Sequence, residues 1–189
     1  MAQQTTGLGS FTSALEYGGA RPSLFEFKVT AAPVGVDSSL SSVNLYCNVT
    51  EIPPLTLTPI ERQYFGRTVK IPGDLVFADL STTIINTENY NVRNELETWM
   101  EKINGTISNE SKTAANFGTG TAQLVHYQKD GTATMTYTFV DIWPTALTEI
   151  ALSYDTASDI EQFDVTWAYN YYTFAGGTAP STSSYATQT

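Results

Sequence analysis

Residues 161–174 read EQFDVTWAYNYYTF. In an extended chain Phe163, Val165, Trp167, Tyr169 and Tyr171 fall on one side, and Gln162, Asp164, Thr166, Ala168 and Asn170 on the other, because side chains of a strand alternate between faces. The run predicts one long strand, Glu161 to Phe174, with a largely aromatic face and a wettable one. At roughly 25 cal/mol per Å² of apolar area removed from water, those rings demand cover. Further strands and one helix must supply it.

The same alternation recurs upstream. Phe25, Phe27 and Val29 alternate with Glu26 and Lys28, and Val43, Leu45, Cys47 and Val49 share a side of a second strand. Phe65 to Ile71 predicts a strand turned by Pro72-Gly73-Asp74, with Leu75 to Asn86 returning from it. Thr121 to Gln128 and Thr132 to Asp141 predict a hairpin across Lys129-Asp130-Gly131. In its second arm Met135, Tyr137 and Phe139 alternate with Thr134, Thr136 and Thr138. Trp143-Pro144 predicts a corner, since a residue before proline is held extended, and Glu149 to Tyr154 one more strand. Between them the period changes: Val92, Leu96, Trp99, Met100 and Ile103 lie on one stripe of a helix spanning about 89–104. Asn89 or Asn91 suits its start and Gly105 its end. The expected fold is β-rich α+β, about eight strands in two packed, mainly antiparallel sheets with one amphipathic helix. Its predicted core takes in Phe25, Phe27, Leu96, Trp99, Tyr137, Phe139, Trp143, Phe163, Val165 and Trp167.

One stretch fits none of this. Ile52, Pro53, Pro54, Leu55, Leu57, Pro59 and Ile60 combine prolines, which bar a central strand, with apolar side chains. Residues 52–60 therefore read as a stiff apolar loop in want of a partner surface. The polar arm 1–19 and the tail 175–189 (AGGTAPSTSSYATQT beyond Phe174) have little to bury and read as flexible, leaving 20–174 as one domain.

Composition narrows the function. Of 189 residues, 19 are acidic and 9 basic, a formal charge of −10. Binding phosphates needs clustered Lys and Arg, so this balance argues against a free-standing nucleic-acid binder. No apolar run is long enough for a membrane span, and MAQQTTGLGS lacks the basic and apolar regions of a signal peptide. The single Cys47 leaves no internal disulfide and fits a reducing compartment. Cys47 and His126, both in predicted strands, suit packing better than a nucleophile pair. Glu149, Asp155, Asp159, Glu161 and Asp164 could hold calcium or act as paired carboxylates, yet they lack the spacing and glycine of a dedicated loop. No cofactor motif occurs.

The order of segments carries more. Ala20-Arg21-Pro22-Ser23-Leu24-Phe25 opens the first strand, and Leu45 to Pro53 (LYCNVTEIP) leads into the stiff segment. Gly66 to Gly73 (GRTVKIPG) follows, then a strand and an amphipathic helix ending in Glu97-Thr98-Trp99, the Asp141-Ile142-Trp143-Pro144-Thr145 corner, and Ile160 to Thr166 (IEQFDVT). This series, from about Ala20 to Phe174, resembles the tail tube proteins of contractile-tailed (myovirus-type) bacteriophages. The resemblance implies a structural virion protein and no enzyme. Six-subunit rings would stack into a hollow inner tube whose wall is a continuous barrel. The partners would be further copies of the chain, a tail sheath protein, and baseplate and tail-terminator proteins. Double-stranded DNA would pass through without specific binding, with no cofactor and no membrane. The chain would reside in the virion tail after assembly in the bacterial host cytoplasm.

In that setting residues 52–60 lie where the family has an inter-ring loop, and Thr134, Thr136 and Thr138 suit a bore lined by small uncharged groups. By multiplication a six-copy ring carries about −60, and a bore without clustered cations does not hold its cargo. Three alternatives stand beside this reading. They are the inner tube of a phage-like bacterial injection device, a carbohydrate-binding β-sandwich with Tyr169, Tyr171 and Tyr172 as a stacking platform, and a small hydrolase using the acids near Asp159.

Overall fold

A computed structural model describes residues 11, 15, 18–33, 40, 46–110, 118–156 and 159–176. Most of the 1–19 arm, the 34–45 stretch apart from residue 40, and the tail from 177 onward lie outside the described residues. Nine strands occur among the described residues: β1 (Phe25–Ala31), β2 (Cys47–Thr50), β3 (Leu55–Tyr64), β4 (Arg67–Phe77), β5 (Leu80–Ile85), β6 (Gly120–Tyr127), β7 (Ala133–Leu147), β8 (Gln162–Ala168) and β9 (Tyr171–Gly176). One α-helix, α1 (Asn91–Ile103), separates β5 from β6.

Seven strands form a single antiparallel sheet in the order β1-β6-β7-β8-β5-β2, with β9 also on β7. The sheet folds on itself because β7 belongs to both halves. Its Ala133–Ile142 stretch pairs with β6 and, as far as Val140, with β9. Its Trp143–Leu147 stretch pairs with β8. One leaf is therefore β1-β6-β7-β9 and the other β7-β8-β5-β2. Phe27 from the first leaf meets Trp167 from the second with ring centroids 5.8 Å apart.

The bend in β7 sits at Asp141, an extra residue opposite the Gly120–Thr121 step, with φ of 56°. An extra residue in one strand bends it, and aspartate tolerates left-handed backbone better than most side chains. Trp143-Pro144 was the expected corner; both residues instead continue β7 past the bulge. The 161–174 run breaks at the same place. Rather than one strand it is two, β8 and β9, divided at Tyr169-Asn170. The Asn170 N–H donates to the Val140 carbonyl (3.1 Å) and its Nδ2 to Asp141 Oδ2 (2.8 Å). Thr119 Oγ1 donates to Asp141 Oδ1 (3.3 Å). One carboxylate thus fixes both points where the chain changes leaf. β9 also reaches Gly176, so Ala175 and Gly176 belong to the sheet and not to the tail.

Helix α1 buries Val92, Leu96 and Trp99. The Trp99 ring lies 5.8 Å from that of Trp167, and its indole donates to the Gly118 carbonyl at 2.6 Å. Gly120 makes room for it: a Cβ there would stand 2.3 Å from the Ala31 oxygen and 3.1 Å from the Trp99 ring. Of the predicted core, Phe27, Leu96, Trp99, Phe139, Phe163, Val165 and Trp167 are buried, while Phe25, Tyr137 and Trp143 pack against the margin. The helix ends differ from expectation. Tyr90, left-handed and without a side-chain cap, begins it, and extended Asn104 ends it. Residues 149–153 form no strand, although Ile150 packs against the core; a 3-10 turn, Tyr154–Thr156, follows.

β3 and β4 make a separate two-stranded sheet. Residues 52–60 are thus no simple loop: Leu55 onward is strand, and only Ile52–Pro54 connects. Its prolines are tolerated because each strand of a ribbon is an edge, and Pro59 pairs opposite Pro72. The turn is not at Pro72-Gly73-Asp74, which lies inside β4, but at Phe65-Gly66, with φ of 45° and 75°. Positive φ at both central residues gives the twist that suits a two-residue hairpin.

Candidate functional site

Among the described residues three sets of groups are left uncovered. The first is backbone. Among the described residues β1 pairs only with β6, β9 only with β7 and β2 only with β5, so each has a bare edge. The leaf β1-β6-β7-β9 is therefore a four-stranded antiparallel sheet open on both sides.

The second is that leaf's outer face. Thr134, Thr136 and Thr138 lie half-buried on it, opposite the inward Tyr137 and Phe139. The strand register sets Lys28, Gln123, Thr138 and Thr173 in one row and Glu26, Val125, Thr136 and Ala175 in the next. Glu26 accepts a hydrogen bond from the Tyr127 hydroxyl at 2.5 Å, which raises the phenol's pKa from its ordinary value. The two rows hold one cation and one anion among small or polar groups, apart from the buried Val125.

The third is the hairpin. Leu55, Leu57, Ile60, Tyr64, Phe65, Val69, Ile71, Leu75 and Val76 are all exposed, Phe65 at 89%. Ile52 and Pro54 are exposed as well, whereas Pro53 is buried in its own chain, so it is withdrawn from the expected contact set. Phe77 roots the hairpin, edge-on to Tyr172 at 5.3 Å and to Tyr169 at 6.2 Å. Paired residues share a face, so Ile60/Ile71, Arg62/Val69 and Tyr64/Arg67 make one surface, apolar and cationic. Glu61/Lys70, an ion pair at 3.3 Å, and Gln63/Thr68 make the other. Sequence reading missed β3 as a strand because its prolines masked the alternation. Gly66 was the available signal for the turn; the phenylalanine before it obscured that signal.

The groups with conventional chemistry are separately engaged. The His126 ring bonds the Arg21 carbonyl through Nε2 (2.9 Å), and the Cys47 thiol donates to the Val49 carbonyl (3.6 Å). Burial pushes the thiol up to about 12, which removes the thiolate a nucleophile requires at neutral pH. Glu161 accepts from Asn86 Nδ2 (3.0 Å) and the Tyr90 hydroxyl (2.8 Å), and those bonds lower its pKa. Asp164 accepts from Thr83 at 2.6 Å. Among the described residues no three His, Cys, Asp or Glu side chains converge as a metal site. Two rings of the expected sugar platform are engaged within the chain: Tyr172 meets Phe77 and Tyr137 edge-on and Phe139 at a tilt, and Tyr169 donates its hydroxyl to the Ala78 carbonyl, which leaves Tyr171 as the exposed one.

Residues 20–175 match the family model described as phage tail tube protein. The chain belongs to that family. It is accordingly a structural subunit of a phage tail tube. It is 25% identical over 163 residues to the tail tube protein gp19 of Enterobacteria phage T4, covering 85% of this chain and 96% of that one. It is 26% identical over 159 residues to the tail tube protein of Serratia phage KSP90, covering 82% and 90%. The fold is shared with chains of two solved assemblies. One is the sheath–tube complex of an extracellular contractile injection system (TM-score 0.61, 17% identity, 92% of this chain and 100% of that one). The other is the tube-terminating cap of the anti-feeding prophage (TM-score 0.63, 14% identity, 94% and 100%). In tail tube terms, the bare edges, the polar face and the hairpin become candidate joints, bore and stacking element.

Proposed function

We propose that six copies of this tail tube protein close into a ring by pairing β9 of each with β1 of the next, and that rings stack into the bore of a contractile tail through which DNA leaves. The observation that carries this reading is the leaf β1-β6-β7-β9, open at both ends. Its strands alternate in direction, and their number per copy is even. The β9 and β1 that meet at a joint then run oppositely, and the antiparallel pattern continues around the ring without a fault. Six such leaves, at about 4.8 Å per strand, make a wall about 37 Å across before tilt widens it.

The face bearing Thr134, Thr136 and Thr138 then turns to the bore, where one lysine and one glutamate per copy offset each other and phosphate meets no cationic track. The exposed strands of the hairpin contact a neighbouring ring, and the side away from the bore meets the sheath. Baseplate and terminator proteins take the two tube ends. The family match favours a phage tail over a bacterial device. Two experiments test the reading. Negative-stain images of the purified chain should show six-fold rings and tubes; isolated globules at every concentration would refute it. Lysine at Thr136 and Thr138 should leave tubes intact while slowing DNA release, and unchanged release would remove those positions from the bore.

A further inference from the structure

The stacking just described leaves open what the hairpin touches. We propose that the surface formed by Leu152, Tyr154, Asp155, Asp159 and Ile160 seats the β3–β4 hairpin of a copy in the adjoining ring. This rests on the tube reading and adds the receiving surface to it.

Position comes first. β5 and β8 pair from Leu80↔Trp167 to Ile85↔Gln162. The hairpin runs back into β5 at the Leu80 end, and the 149–161 segment enters β8 at the Gln162 end. Hairpin and segment therefore occupy opposite ends of one leaf, about 20 Å apart for a six-residue strand. A projection at one end and its seat at the other give a head-to-tail contact that repeats without closing, which is what a stack of rings needs.

The surfaces also match in kind. Leu152 is 77% exposed, Ile160 68%, and Tyr154 fully so. Leu152 and Tyr154 border a depression of about 420 Å³ whose wall includes Asp159 and Glu161. The residues from 130 to 189 contain seven acids and no lysine or arginine. The hairpin is the reverse. Residues 55–77 carry Arg62, Arg67 and Lys70 against Glu61 and Asp74, a balance of +1 in a chain of −10. Lys70 is neutralised by Glu61, which leaves Arg62 and Arg67 beside Ile60, Tyr64, Val69 and Ile71. An apolar surface with only cations would meet an apolar surface whose own residues carry only anions, since the neighbouring Arg93 is paired with Glu97 at 2.9 Å, and such an arrangement fixes partner and register. Each surface also repels a copy of itself, so hairpin-to-hairpin and loop-to-loop contacts are disfavoured.

A rival seat exists. The cavity of about 360 Å³ lined by Phe25, Leu124, His126 and Tyr137 is apolar, but Ile52 at the root of the hairpin also lines it. It lies at the hairpin's own end of the domain, where a copy stacked head-to-tail does not present its tip.

The test uses the full chain. A benzophenone amino acid in place of Phe65 is irradiated in assembled tubes, and the adduct is mapped after cleavage at aromatic residues, since trypsin finds no site past residue 129. Attachment within residues 149–161 of another copy is expected. Attachment near Phe25 and His126, or no attachment between copies in intact tubes, overturns the proposal. Charge exchange supplies the second arm. Arg62→Glu with Arg67→Glu, or Asp155→Lys with Asp159→Lys, should each cut the tube fraction by about tenfold while leaving rings, and the two together should restore it to within about twofold. Loss with the hairpin variant only, or no restoration, also overturns this seat while leaving the hairpin as the stacking element. Tubes indifferent to both variants would sink the stacking role itself.

Discussion

Phe139 and Phe65 are the same side chain in opposite circumstances. Phe139 is fully buried, its ring 5.0 Å from Tyr169 and 5.8 Å from Tyr172. Phe65 stands at the tip of the hairpin, its one ring neighbour among the described residues the adjacent Tyr64 at 4.5 Å. The two regions around them draw on similar β-branched and aromatic residues. The seven-stranded sheet buries most of them inside one chain; the hairpin leaves them exposed. Stability and assembly should therefore separate by region.

The widest gap is expected between Phe139→Ala and Ile60→Ser with Ile71→Ser. The first should cost about 3–5 kcal/mol in urea unfolding, the cost of truncating a buried phenylalanine. The second should leave the monomer within about 0.5 kcal/mol, as exposed substitutions do, while tubes fail to form under the electron microscope. Equal loss of monomer stability in both would erase the distinction.

The glycines sharpen it. Gly120→Ala meets backbone oxygen and the Trp99 ring and should destabilise by about 1–3 kcal/mol, as overpacking does. Gly73→Ala meets the Thr58 oxygen at 2.6 Å and Ile60 Cγ1 at 2.8 Å, distorting the irregular step in β4. Its effect should appear as fewer tubes at nearly constant thermal midpoint.

Phe65→Asn should act in opposite senses on the two properties. Asparagine accepts positive φ more readily than phenylalanine, so the turn should gain about 1 kcal/mol, seen as greater amide protection in β3 and β4. Assembly should weaken because the tip ring is gone. Joint improvement of both would mean that the phenylalanine has no contact to make.

The smallest effect is acid sensitivity. Asn86 and Tyr90 hold the Glu161 carboxyl below its ordinary 4.5. A carboxylate with a depressed folded-state pKa contributes stability above its unfolded value, and that contribution is lost as pH falls through the folded one. The thermal midpoint of Glu161→Gln should therefore fall less steeply than that of the native chain below about pH 4.5.

Fold class, helix stripe and most core residues were legible because burial imposes a period on the letters. The break at Tyr169-Asn170 was not, since Tyr169 and Tyr171 keep alternating across it; only the bond from Asn170 to Asp141, 29 residues away, reveals the change of leaf. The hairpin turn hid behind Phe65, whose backbone conformation few phenylalanines adopt. Ile150, Leu152 and Tyr154 gave a false strand because alternation records side-chain type and cannot record whether a strand edge lies alongside. The polar row through Thr138 was visible in one strand, but its partners Gln123 and Thr173 required the register.

β7 has one more consequence. Its 15 residues run unbroken from one leaf into the other. If the inner leaf forms the tube wall, a push delivered to the outer leaf reaches that wall along peptide bonds, with no reliance on side chains sliding past one another. A subunit wired in this way moves as a single body when it is driven forward.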